Sequence, residues 1–89
     1  MGSASRTKPE RLAEKLLAIR ITLNLNQTDL AEELSNAKIH LRKSDISRYE
    51  SGLREPALII LLRYSRLANV KMEALVDDEL TLPSKFVKR

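Results

Sequence analysis

The spacing of apolar residues constrains this chain more than any other feature. Leu12, Leu16, Ile19 and Leu23 recur at i, i+4, i+7 and i+11, a single stripe along a helix of 3.6 residues per turn. Leu30, Ala31 and Leu34 repeat the pattern over a shorter span, Ile46 and Tyr49 over a third, and Leu58, Leu61, Leu62 and Ser65 over a fourth. Alternation of apolar with polar residues, the mark of a half-buried strand, reaches no further than Leu80-Thr81-Leu82. The spacing predicts an all-α fold.

Breaks in the pattern place the helix ends. Thr7 with Glu10 three residues on has the form of a capping box, with Pro9 tolerated in the first turn, which predicts a first helix over 9–23. Asn24 suits a left-handed cap. Asn26 restarts the helix at Gln27, and Asp29 in its first turn meets the positive end of the helix dipole. The segment 35–40, SNAKIH, breaks the period and reads as a connection. A third helix over 42–51 ends at Gly52. Glu55-Pro56 marks a boundary, because the residue before proline is pushed out of the helical region. A fourth helix follows over 56–68 with Asn69 as its cap, and a fifth over Met72–Val76. The expected organisation is a basic, flexible arm over 1–8, one compact five-helix domain over 9–76, and a tail over 77–89.

Composition removes most enzyme chemistry. The 89 residues include no cysteine, one histidine and two glycines. Disulfides, thiolate zinc sites and thiol nucleophiles are excluded, as are a two-histidine metal site and a glycine-rich phosphate loop. His40 reads as a loop residue. The longest apolar run, 57–62, is six residues, against the ~20 needed to span a bilayer, and residues 1–8 lack the apolar stretch of a secretory signal. The expectation is a cytoplasmic protein that is not an enzyme, with no cofactor, no metal and no membrane partner.

The order of residues resembles the phage repressor and Cro (XRE-type) helix-turn-helix family. LAIRITLNLNQTDLAEEL is similar to its first two helices, SDISRYESGLREP to its recognition helix and exit, and ALIILLRYSRLANVKMEALV to its fourth and fifth helices. Arg20, Asn26-Gln27, Leu30-Ala31, Ile46-Ser47-Arg48, Glu50, Gly52, Pro56, Leu58, Leu61, Val70 and Leu75 all stand in register, and together the likeness covers residues 11–76. It implies a lambda-repressor-like five-helix bundle that binds double-stranded DNA sequence-specifically, as a small transcriptional regulator of the repressor kind.

The resemblance assigns residues to roles. Lys43, Ser44, Ser47 and Arg48 match the outward positions of the helix that enters the major groove. Their chemistry agrees, since Arg can bond guanine O6 and N7 together, Lys reaches the same acceptors, and Ser serves either edge. Gln27 matches a position that touches phosphate and buttresses that helix, and Lys38, Arg42 and Arg54 are further phosphate candidates that would position the protein without reading sequence. Arg20 and Glu50 match a structural ion pair locking the recognition helix to the first. The bland alternative is that the charged residues form an ordinary solvated face.

Two departures from the family pattern carry expectations of their own. Eleven residues separate Leu34 from Ile46, about five more than the family usually has, so the turn between helices two and three is lengthened. Arg42 is a poor N-cap, and a start at Ser44 would take Lys43 out of the helix. Ile59 and Ile60 stand where the family carries polar residues. With Leu80, Leu82 and Phe86 of the tail they form a candidate interface, either the tail packing back on helix four or five or the surface of a homodimer. The competing function is a protein-interaction module, such as an antitoxin or accessory adaptor, binding a protein partner through helix four and the tail.

Charge is unevenly spread. The net +4 conceals a segment, 36–66, with seven basic and three acidic groups, and an acidic stretch, 67–82, with one basic and four acidic. The basic excess surrounds the third helix, where the resemblance puts DNA.

Overall fold

In a computed structural model, which describes residues 8–83, the chain forms five helices: α1 (Leu12–Thr22), α2 (Gln27–Leu34), α3 (Lys43–Ser51), α4 (Leu58–Ala68) and α5 (Met72–Val76). No strand occurs among the described residues. Thr7, Phe86 and residues 1–7 of the arm expected over 1–8 lie outside them.

Three of the helix ends are made by one local device. Asn24, Gly52 and Asn69 have φ of 61°, 79° and 59°, the left-handed region open to Gly and tolerated by Asn. At each, the next residue donates its N–H back into the last turn: Leu25 to the Arg20 carbonyl (3.2 Å), Leu53 to that of Arg48 (3.0 Å) and Val70 to that of Ser65 (3.0 Å). Asn24, Gly52 and Asn69 themselves donate to Ile21, Tyr49 and Arg66. This paired closure satisfies carbonyls a helix end would otherwise leave bare, and reverses the chain sharply.

The start of α1 differs from the sequence expectation. The helix begins at Leu12, not residue 9, and no side chain at its own N-cap position, Arg11, closes it. Asp78 does so instead from the far end of the chain. Its carboxylate accepts from the Glu10 N–H (2.9 Å) and the Arg11 N–H (3.0 Å). The same strap runs through the side chains of Arg11, at the N-cap, and Lys15, in α1. Arg11 donates to the Asp78 carbonyl at 3.0 Å. Lys15, only 2% exposed, donates its ammonium to the carbonyls of Ala74 (2.7 Å) and Asp77 (3.0 Å) at the end of α5. A cation at a helix C-terminus answers both the free carbonyls and the dipole.

The core is continuous. Leu16, Ile19 and Leu23 from α1 and its exit, Leu30 and Leu34 from α2, Ile46 from α3, Tyr64 from α4 and Leu75 from α5 are fully buried together. α1 packs on α3 and α5, α2 on α3 and α4, and α4 on α5.

The face of α4 corrects the sequence reading. Ile60 is 9% exposed and belongs to the core, whereas Leu58, expected inside, is 73% exposed. The buried set is Ile60, Leu61, Tyr64, Ser65 and Ala68, a consistent i, i+1, i+4, i+5, i+8 stripe. Ile60 is therefore withdrawn from the candidate interface, while Ile59 stays exposed. In the tail, Leu82 packs partly buried against the core and Leu80 remains exposed.

Candidate nucleic-acid interface

α3 is amphipathic, and its two sides have opposite tasks. Ile46 and Tyr49 point into the core, which turns Lys43, Ser44, Ser47 and Arg48 to solvent. The helix starts at Lys43, so that residue belongs to it. Asp45 makes this start possible. As the third residue of the helix, it accepts the Arg42 N–H on Oδ2 at 2.9 Å, the reach-back half of a capping box. Arg42 itself has no acceptor with which to supply the other half.

The inner side of α3 is clamped to α1 by an ion pair. Arg20 Nε donates to Glu50 Oε2 at 2.7 Å and its Nη2 to Oε1 at 3.1 Å, a two-point geometry that fixes orientation as well as charge. Gln27 Nε2, from the first turn of α2, donates to the same Glu50 Oε1 at 3.0 Å, and a third Arg20 bond reaches the Leu25 carbonyl at 3.0 Å. Glu50 thus ties α3 to both preceding helices. Gln27 is half-buried and turned toward Glu50, a buttress in this structure.

The lengthened turn between α2 and α3 is built, not loose. The Asn36 side chain accepts from the N–H groups of Lys38 (2.8 Å) and Ile39 (2.9 Å), while the backbones of Asn36 and Ile39 bond each other in both directions. Ser35 Oγ accepts the Leu41 N–H at 2.9 Å and donates to the Ala31 carbonyl at 2.7 Å. Ile39 and Leu41 pack against the core. Arg63 of α4 completes the turn, its guanidinium donating to the carbonyls of Leu34, Glu33 and Ser35. Lys38 and His40 are left exposed beside the N-terminal end of α3.

Arg54 lies just past α3 and folds back on it, donating to Asp45 Oδ1 at 3.4 Å. Asp45 also has Arg48 Nη1 at 3.9 Å and Arg42 Nε at 3.8 Å. One buried carboxylate therefore faces three arginines. Burial pushes the Tyr49 phenol above its ordinary range, opposed by the charge of Arg54 and reinforced by that of Asp45. Sequence reasoning missed Asp45, Arg63, Lys15 and Asp78. Only Asp45 carried a local signal, its place three residues after the N-cap.

A helix-turn-helix family model matches residues 16–75 of the chain. The chain belongs to the XRE/Cro-type helix-turn-helix family. No curated protein and no solved structure gives a significant match. Membership in this helix-turn-helix family makes the chain a DNA-binding regulator, in a family whose domain is non-enzymatic. The matched span runs from α1 into α5 and takes in the whole of α2, the lengthened turn and α3. Among the described residues, no helix is long and apolar enough to cross a membrane.

Proposed function

We propose that the chain binds double-stranded DNA sequence-specifically as a homodimeric repressor, reading the major groove with α3. One observation carries this reading. Lys43, Ser44, Ser47 and Arg48 are exposed on the side of α3 opposite Ile46 and Tyr49, and that inner side is fastened to α1 and α2 through Glu50. A helix held this way presents its outer side chains in a fixed frame, which base readout needs. Arg48 reads guanine and Lys43 a neighbouring acceptor, with Ser44 and Ser47 serving either edge. Arg42, Arg54 and Lys38 contact phosphate and set the register.

The exposed Leu53, Leu58 and Ile59 support pairing of two copies, which on a two-fold site places half-sites about 34 Å apart. The same residues, with Leu80, favour the second reading, a module that binds another protein through α4 and the tail.

Selection of bound duplexes from a random library separates the two. A two-fold consensus supports the DNA reading and the dimer together. Absence of enrichment, with capture of a purified protein partner, supports the second. Repression is tested by transcription in vitro from a promoter that overlaps the selected site, which the chain should reduce.

A further inference from the structure

We propose that Asp45 is a positioning and specificity-determining residue for DNA recognition, a fixed counter-charge that gathers Arg42, Arg48 and Arg54 and suppresses binding to non-cognate DNA. The inference rests on the reading that α3 faces the duplex.

Asp45 cannot swing away. Its side chain is 9% exposed, and the bond to the Arg42 N–H pins Oδ2 at the start of α3. Around it stand three guanidinium groups from three places in the chain: the residue before the helix, the second turn of the helix, and the loop beyond it. Their side chains are 79%, 49% and 59% exposed for Arg42, Arg48 and Arg54. Each guanidinium carries five N–H donors, and the contacts with Asp45 occupy few of them. The remaining donors stay open to solvent, hence to a phosphate or a base edge.

Two consequences follow from the charges. Without Asp45, three cations would repel one another and spread over many rotamers. With it, Arg48 is held along the helix and Arg54 against the helix end, so both are oriented before DNA arrives. That is preorganisation: at Arg48 it favours the one duplex whose base acceptors match, and at Arg54 it sets the register on phosphate. The carboxylate also repels the phosphates that all duplexes share, and binding to non-cognate DNA is almost wholly electrostatic. Cognate contacts compensate for this repulsion, whereas non-cognate DNA has nothing to offset it.

The test compares the wild type with Asp45→Asn and Asp45→Glu on two probes: the duplex selected from a random library, and a scrambled duplex of equal length and composition. Asparagine keeps an oxygen acceptor for the Arg42 N–H and removes the charge. Glutamate keeps the charge and suits the third position of a helix. Asp45→Asn is expected to bind the scrambled duplex roughly three- to tenfold more tightly, with a steeper salt dependence. Its preference for the selected duplex should fall by at least that factor, and Asp45→Glu should restore it. Thermal unfolding of each variant reports the capping role separately. If Asp45→Asn loses affinity for both duplexes in parallel with its melting temperature, Asp45 is a helix cap alone and the proposal is wrong. A wild type that separates the two duplexes, with Asp45→Asn keeping the same ratio, also overturns it. A wild type that does not separate them overturns the α3 reading itself.

Discussion

Asp78 and Arg11 are joined twice, although 67 residues apart: the Arg11 N–H donates to the Asp78 carboxylate, and the Arg11 guanidinium to the Asp78 carbonyl, each at 3.0 Å. The first helix is thus capped by residues that follow the last. The N–H bonds from Glu10 and Arg11 hold the Asp78 carboxyl below its ordinary value, helped by the charges of Lys15 and Arg11. Asp78→Ala should lower the melting temperature at neutral pH, with its effect concentrated at the start of α1 in amide exchange. Because the folded state lowers this pKa, the contribution is fully present above the ordinary value of 3.8 and is lost as pH falls through the folded value. The gap in melting temperature between wild type and Asp78→Ala should therefore close in acid.

The Arg20–Glu50 pair should behave as a partly buried unit. Glu50 is 6% exposed at its side chain, so Arg20→Met strands a carboxylate that Gln27 alone cannot satisfy. A loss of about 3–5 kcal/mol is expected. Replacing both residues by Met removes the stranded charge, and the double variant should cost well under the sum of the single ones. Urea denaturation of the four proteins, at unchanged slope, measures this coupling.

Tyr64 offers the opposite sign. It is fully buried, and its hydroxyl has no hydrogen-bond partner among the described residues. Burial and the nearby Glu50 charge drive its phenol well above the ordinary range, so it stays neutral. Tyr64→Phe keeps the ring and deletes an unpaired polar group. Stability should be unchanged or rise by about 1 kcal/mol, whereas a loss beyond that would mean the hydroxyl is satisfied in solution.

What could be read from the sequence was what is local. The caps at Asn24, Gly52 and Asn69 and the stripe of Leu12, Leu16 and Ile19 depend on residues within a turn or two of one another, and periodicity records such relationships. The side of α4 was misread because 57–62 is apolar without interruption and has no phase of its own. Tyr64 and Ala68 set the phase, and they select Ile60 over Leu58. Lys15, Arg63 and Asp78 were invisible for a different reason. Each meets backbone carbonyls or N–H groups 28 to 68 positions away, and an acceptor present in every residue leaves no mark in the sequence. At the candidate interface, the outward residues of α3 followed from Ile46 and Tyr49 pointing inward. The role of Asp45 did not, because it needs Arg54 to fold back across Gly52.

The central claim is that α3 reads base sequence, and Arg48 tests it most directly. Binding profiles over all single-base variants of the selected site should be measured for the wild type and Arg48→Ala, with Arg54→Ala as the contrast. Arg48→Ala should lose about 1–3 kcal/mol on the selected site and lose its preference at one base pair per half-site. Arg54→Ala should weaken all duplexes alike and flatten the salt dependence. An Arg48→Ala profile that keeps every base preference and the full affinity would contradict the account.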